Sequence, residues 1–387
     1  MNSQHKRVCF LVTDAISFNV LCEGQLEYFS TVRTWNLSLI SGGDENEINH
    51  LKQRKIGLFF NAGFVRKPSL LFDFRSLIRL IVFFTTNRFD LVVFSTPKAL
   101  MIGSLASFLT RQPLRVALIR GRAYENYTGI KRLAFLLMDR VALRLSHKTL
   151  FVSQSLMRNY LTEGVADRGN SLVLGGGSSN GVDTSRFKPA LVDRKQLIED
   201  LKLPFEKSDF IVLIVGRICR DKGVEDSGRV VRLLKDEHIK FIFVGRIEDD
   251  CGFDVIEGLR RDFPTSVVHI DHVIDIVRYF QCTDLHLFLS HREGFGNVGL
   301  EAAACGVPTV AFDVVGVRDC VKDGVTGLLF PLGEVDAVAH YIHGVKTTGS
   351  SGFKPQMVRQ SIVDNYDQNL VWKRYGDYFE DCMNSSA

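Results

Sequence analysis

The stretch His291-Arg292-Glu293-Gly294-Phe295-Gly296-Asn297-Val298-Gly299-Leu300-Glu301-Ala302-Ala303-Ala304-Cys305-Gly306 decides how the chain is read. Before it stands the apolar run Leu285-His286-Leu287-Phe288-Leu289-Ser290, which has the length and composition of a buried strand; the alanine-rich run that follows Asn297 reads as a helix. Glycines make the turn between them. Such a turn lets the backbone approach a phosphate, which the free amides and the positive end of the next helix then stabilise. Glu293 and Glu301 bracket the turn. A carboxylate accepts hydrogen bonds from two adjacent hydroxyls, so two carboxylates beside a diphosphate suit a nucleotide sugar with a diol at each end. A surface turn with two solvated glutamates would carry the same letters.

Working outward, six apolar runs precede this stretch in the first half: Val8–Val12, Leu37–Ile40, Leu91–Phe94, Val116–Ile119, Thr149–Val152 and Leu172–Leu174. The second half has Phe210–Val215, Lys240–Val244, Val267–Ile270, Leu285–Leu289 and Thr309–Phe312. They are continuous rather than alternating in apolarity, as parallel strands buried on both faces are, and helix-length segments separate them. Each half therefore reads as a doubly wound α/β domain, whose ligands bind beyond the carboxyl ends of the strands. The cluster Gly175-Gly176-Gly177-Ser178-Ser179-Asn180-Gly181-Val182-Asp183 reads as the hinge between them, or as a long turn within one domain. The expected division is 1–185, 186–365 and a C-terminal helix over 366–387 that crosses back to the first domain. Val363, Tyr366, Leu370, Val371 and Tyr375 give 361–383 an amphipathic spacing.

The 387 residues suit about two or three domains. No uninterrupted apolar run is long enough to span a bilayer, and the start Met1-Asn2-Ser3-Gln4-His5-Lys6-Arg7 lacks a cleavable-signal layout, so a cytosolic protein is expected. The 8 cysteines stand singly, which argues against a zinc site or a disulfide framework. Residues 1–189 hold 25 Lys/Arg and 13 Asp/Glu, a balance of +12; the rest hold 23 and 31, a balance of −8, giving the net +4. A basic half points to an anionic partner. Against a nucleic-acid binder, the sequence shows no zinc knuckle or aromatic-basic signature, and the acidic half would repel a long polyanion. An NAD-type oxidoreductase would need Gly-x-Gly-x-x-Gly after the first strand, where Thr13-Asp14-Ala15-Ile16-Ser17 stands.

A second loop carries chemistry. Gly216-Arg217-Ile218-Cys219-Arg220-Asp221-Lys222-Gly223 follows the strand ending at Val215, and Arg217 and Lys222 can neutralise a diphosphate between them without a divalent cation. Gly-Arg-x4-Lys-Gly followed by Arg-Glu-Gly-Phe-Gly-Asn with glutamates at 293 and 301 resembles the retaining glycosyltransferases of family 4, group 1, of GT-B fold. In the first half, Ser17–Gln25, Thr96-Pro97-Lys98-Ala99, Arg120–Gly129 and Asn180-Gly181-Val182-Asp183 are similar to the branch that acts on polyprenyl-diphosphate-linked sugars.

That resemblance implies two Rossmann-like domains facing across a cleft, and a metal-independent enzyme that moves a hexose or N-acetylhexosamine from a UDP-sugar to a lipid-linked saccharide in O-antigen, capsule or glycan assembly. By the same resemblance, Glu293, Arg217 and Lys222 are catalytic. Gly216, Val273, Gly294, Phe295, Gly296, Asn297, Val298 and Glu301 would bind the donor, Glu301 through the ribose and Val273 beside the base, with Arg246 as a further candidate there. Gly24, Lys98, Arg120, Arg122 and Glu125 would bind the acceptor. The chain departs from the pattern at Arg120-Gly121, where many relatives carry a histidine, and at Phe94-Ser95-Thr96, where the branch often has Thr-His-Thr. No cofactor or metal is expected. The expected partners are a nucleotide sugar, a polyprenyl-diphosphate-linked saccharide and an anionic membrane surface, with attachment to the inner face of the plasma membrane. For that surface the candidate is the helix over 70–84, which would equally serve as a core helix. A GT-B epimerase of sugar nucleotides is the alternative enzyme.

Overall fold

The computed structural model describes residues 5–236 and 238–385. Met1–Gln4, the start of the stretch read above for a signal sequence, lie outside the described residues. The chain divides into two compact units, Met1–Asn180 with Gln368–Ala387, and Gly181–Asp367.

The first unit holds a seven-stranded parallel sheet: β1 (Arg7–Asp14), β2 (Asn36–Gly42), β3 (Leu58–Asn61), β4 (Leu91–Ser95), β5 (Arg115–Ile119), β6 (Lys148–Phe151) and β7 (Ser171–Val173). They are ordered β3-β2-β1-β4-β5-β6-β7. The second unit holds six: β8 (Phe210–Val215), β9 (Ile239–Val244), β10 (Val267–Ile270), β11 (Leu285–Phe288), β12 (Thr309–Phe312) and β13 (Gly327–Phe330), ordered β10-β9-β8-β11-β12-β13. Every pairing between these strands is parallel. Both sheets are Rossmann-like, and the strand order reverses between β1 and β4 and again between β8 and β11.

β3 and β13 are absent from the sequence reading, and both are edges. Leu58 is 71% exposed, and the run around it is too short and too wet to stand out from a loop. β13 begins at Gly327, where a Cβ would lie 1.9 Å from the carbonyl oxygen of Thr309, so a backbone approach and not an apolar run marks it.

The amphipathic stretch over 361–383 is not one helix. Pro355–Tyr366 buries Val358 and Ile362 in the second unit, Asp367 breaks the path, and Gln368–Ser385 buries Val371, Trp372, Tyr375, Phe379 and Met383 in the first. Phe379 there meets Phe10, Phe29 and Trp35, while Arg33 bridges Asp377 (2.5 Å) and Glu380 (3.0 Å).

Two glycines draw the loops after β8, β9 and β11 together. Gly223 (φ +71°) would place a Cβ 1.9 Å from the carbonyl oxygen of Leu289, and Gly245 (φ +148°) would place one 1.8 Å from that of Gly216. Gly223→Ala is expected to cost at least about 2 kcal/mol in chemical denaturation, because backbone must move. Gly344→Ala, inside the helix Val335–Thr348 with no atom within 4 Å of its Cβ position, should instead stabilise by about 0.5–1 kcal/mol.

Candidate active site

In an open parallel sheet the crevice at the reversal of strand order receives the ligand. In the second unit that place lies beyond the carboxyl ends of β8 and β11, and both candidate loops converge on it. The loop after β8 closes with a 3-10 turn at Arg220–Lys222, then Gly223, in left-handed conformation, opens the helix Val224–Leu233. The loop after β11 ends at Gly296 (φ +90°), which caps the helix Asn297–Ala304. A Cβ at Gly296 would lie 2.9 Å from the Phe288 ring, so this turn too admits only glycine without a shift.

Lys222 is brought directly onto Glu293. Its Nζ bonds Glu293 Oε1, which also accepts from Ser290 Oγ at 2.8 Å. Both partners are largely covered, with 23% and 15% of their side chains exposed. The Glu293 backbone is fixed by its N–H to Val315 O (3.1 Å), and Gly316 packs so tightly against the Glu293 carbonyl that a Cβ would sit 2.4 Å from it. Around the pair, Arg292 bonds Asp221 and His291 Nε2 lies 2.6 Å from Asp226 Oδ2.

Arg217 is turned to Glu248 (2.6 Å), a carboxylate on the loop after β9. That loop is zipped to the β8 loop by Ile218 N–H to Arg246 O (2.7 Å) and Glu248 N–H to Ile218 O (3.1 Å). Gly216, Arg217, Lys222 and Ser290 line a narrow cavity of 20 Å³. Val273 stands apart, beyond the edge strand β10, with its carbonyl 3.0 Å from His272 Nδ1. Phe295 is buried against Tyr366. Glu301 lies within the helix Asn297–Ala304; burial pushes its pKa up to about 7, against the opposing pull of Arg186.

In the first unit the sequence-predicted residues separate into three environments. Gly24 (φ +74°) is the start of the helix Gln25–Thr31 and faces Trp372, whose ring would lie 2.5 Å from a Cβ; packing alone explains the glycine. Lys98 bonds Asp73 Oδ1 and Lys67 O, each at 2.6 Å, tying two helices together. Arg120 reaches Ser179 Oγ (2.6 Å) and Leu21 O (3.2 Å), while its buried Nε has no partner. Arg122 bonds Glu125 and lies 3.3 Å from Glu163, which also takes Tyr124 OH (2.8 Å) and Arg132 (3.0 Å).

Arg120, Gly121 and Arg122 also line a 280 Å³ cavity beyond β4 and β5, together with Thr96, Asp139 and Tyr160. Neither Asp139 nor Tyr160 was legible as a site residue. Asp139 falls inside the helix Gly129–Arg144, and only its burial, its bond from Tyr160 OH (2.8 Å) and a pKa pushed up to about 6 by that burial single it out. Thr96 borders the same cavity at the reversal point of this sheet, between β1 and β4. Its backbone (φ +69°, ψ 148°) lies where almost only glycine goes, held by Thr13 N–H and Thr13 Oγ1, both 2.8 Å from Thr96 Oγ1.

Residues 209–346 match the family described as Glycosyl transferases group 1. The second unit carries a group 1 glycosyltransferase domain, and the chain is a glycosyltransferase. Over its full length this glycosyltransferase is 27% identical to the capsular polysaccharide biosynthesis glycosyltransferase CapM of Staphylococcus aureus, covering 99% of each chain. It is 25% identical to the N,N'-diacetylbacillosaminyl-diphospho-undecaprenol alpha-1,3-N-acetylgalactosaminyltransferase of Campylobacter jejuni, over 74% of this chain and 75% of that relative. Among solved structures, Anabaena HepE in complex with UDP and glucose matches with a TM-score of 0.79 at 20% identity, over 97% of this chain and all of that one. The fold of the glycosyltransferase is GT-B.

The buried Glu301 makes a stability prediction with a definite sign. Its folded pKa of about 7 lies above the usual 4.5, so its contribution is full below pH 4.5 and is lost as pH rises through 7. The whole shift would correspond to about 3 kcal/mol, which partial exposure of the side chain reduces. Glu301→Gln should therefore raise stability at pH 8 by about 1–2 kcal/mol in denaturant titrations and leave it unchanged at pH 4.5.

Proposed function

We propose that this glycosyltransferase moves a hexose or N-acetylhexosamine from a UDP-sugar to a polyprenyl-diphosphate-linked saccharide, with retention at the anomeric carbon and without a metal ion. The observation that carries the reading is the Lys222–Glu293 pair beside the glycine turn at the reversal point of the second sheet. Support for the substrate classes comes from the relatives named above, a capsule glycosyltransferase and one named for a diphospho-undecaprenol acceptor, and from the UDP held by a structural neighbour.

In this mechanism the donor diphosphate takes over Lys222, aided by Arg217 and the amides of Gly294–Val298. Those two cations supply the charge stabilisation that a divalent ion gives elsewhere. Glu293, released from Lys222, orients the transferred sugar, and Glu301 accepts from the ribose hydroxyls. The bond from the anomeric carbon to the diphosphate breaks and the acceptor hydroxyl attacks on the same face. Its proton passes to the departing phosphate oxygen, so no carboxylate nucleophile is needed. In the first unit, Arg120, Arg122 and the cavity they line would receive the acceptor, with Lys98 and Glu125 nearby in sequence and Gly24 shaping the helix start.

Attachment is proposed to be peripheral, at the inner face of the plasma membrane where prenyl-linked acceptors are held. Among the described residues no helix is long and apolar enough to cross a membrane. The helix Leu70–Thr86 packs by Ser76, Leu80 and Phe84 but leaves Leu70, Leu71, Phe74, Ile78 and Val82 exposed, so it serves the core along one stripe and offers another outward.

Calorimetry with a panel of UDP- and GDP-sugars tests the donor. One UDP-sugar should bind, and Lys222→Met should weaken it by about a hundredfold or more, the loss of a charge-assisted phosphate contact. Affinity should also fall as pH drops below 7, because a protonated Glu301 accepts hydrogen bonds poorly. Proton NMR of the product on a prenyl-diphosphate acceptor should show the donor's anomeric configuration, with the rate unchanged by EDTA. An inverted product, a chelator-sensitive rate or an epimerised sugar nucleotide formed without acceptor would each overturn the corresponding part.

A further inference from the structure

The helix Gly129–Arg144 buries only Asp139, Ala142 and Leu143. Its outward side is apolar: Ile130 is 87% exposed, Leu133 54%, Leu137 48% and Val141 42%. At 3.6 residues per turn these four side chains and Arg144 fall within an arc of about 80°. A helix facing only water carries its polar residues on that side, so the stripe is inverted relative to the rule. The helix Pro97–Leu109 packs between this helix and Leu70–Thr86, which places the two apolar stripes in one helical layer of the first unit.

At the C-terminal end of the stripe lies an open depression of 850 Å³, the volume of a small-molecule site, rimmed by Arg144, Arg158 and Arg168 with Thr162 and Asn170. It sits at the end of the sheet opposite the carboxyl ends of β5 and β6, away from the cavity that holds Asp139. All three arginines are exposed, and none forms an ion pair among the described residues. Arg122 and Arg132, in the same region, both hold Glu163. The one carboxylate on the rim, Asp167, takes the N–H of Gly169 (2.8 Å). Arg144 has a second reason to be where it is, the negative end of its own helix; Arg158, in mid-helix, and Arg168, in a loop, have none. Residues 129–170 hold seven Lys/Arg against three Asp/Glu.

Three unpaired guanidinium groups at the end of an exposed aliphatic stripe match one kind of surface, apolar in depth and anionic at the level of phosphates. A nucleic acid would use the cations and leave the aliphatic stripe in water. We propose that the helix Gly129–Arg144 and the depression at its end dock on an anionic phospholipid surface, with Ile130, Leu133, Leu137 and Val141 entering the interface and Arg144, Arg158 and Arg168 taking lipid phosphates. This deepens the peripheral attachment proposed above and assigns it a headgroup site separate from both substrate sites.

Sedimentation of the full chain with vesicles at physiological salt tests it, using phosphatidylcholine alone and phosphatidylcholine with phosphatidylglycerol. The chain should bind the mixed vesicles and not the neutral ones. Arg144→Gln/Arg158→Gln/Arg168→Gln should lose affinity for mixed vesicles by about a hundredfold, three charges near the surface. Ile130→Ser/Leu133→Ser/Leu137→Ser should lose binding as well, and both variants should keep UDP-sugar binding and melting temperature. If the triple arginine variant fails to fold, the loop substitution Arg168→Glu alone should still weaken binding at least about tenfold, by charge reversal at the surface. Wild-type affinity in either set of variants overturns the proposal. If only Leu71→Ser/Phe74→Ser/Ile78→Ser abolishes binding, membrane attachment stands and this site falls; if the wild-type chain binds neither vesicle, both fall.

Discussion

The backbone of Gly223 lies against the carbonyl of Leu289, closer than any side-chain-bearing residue could come, and the second unit's site depends on that contact. It joins the start of one helix to the end of β11, across the point where the strand order reverses. Lys222 precedes this glycine and Glu293 follows Leu289 by four residues, so the approach of two backbones sets a cation beside a carboxylate. Gly245 against Gly216 does the same for the loop after β9 and delivers Glu248 to Arg217. The geometry is specified by what is missing from these residues, and the charges follow.

Each cation proposed for the diphosphate is thus already occupied by a carboxylate. A lysine held by Glu293 and Ser290's partner network is oriented and partly desolvated before any ligand arrives. A diphosphate competes with one carboxylate at each cation, and the difference between the two, not the whole Coulomb attraction, is available for binding. The same exchange frees Glu293 only when phosphate has replaced it. In the proposed mechanism, coupling of donor arrival to release of Glu293 is a consequence of the diphosphate and the carboxylate sharing one partner, Lys222.

Much of this was legible in the sequence where backbone chemistry leaves a mark on composition. Continuous apolar runs found eleven of the strands because parallel strands buried on both faces cannot be polar. β3 escaped because its four residues are only half covered at best, and β13 because it opens on Gly327, which is there for a close approach. The phosphate-type turns were visible as glycines between strand and helix. Asp139 was not, since an aspartate within an amphipathic helix reads as a solvated position until Tyr160 and the cavity are seen against it. Gly24 has a packing account beside the proposed one, a glycine in a suggestive stretch whose conformation and close neighbour Trp372 are enough to require it. Asp367 divided the C-terminal segment although its apolar spacing ran on, because periodicity reports faces and is blind to which unit each face meets.

Charge shows the same limit. The +12 balance of the first half suggests a broadly basic surface, yet several of the cations that could make one are spent internally. Arg33 and Arg54 hold glutamates or aspartates, Lys98 holds Asp73, and Arg122 and Arg132 share Glu163. Such pairs project little field beyond a Debye length. Among those without an ion pair, Arg144, Arg158 and Arg168 stand together around one depression. Where those three meet the apolar stripe of Gly129–Arg144, charge and apolar surface are joined in one place, which the net charge of the half does not show.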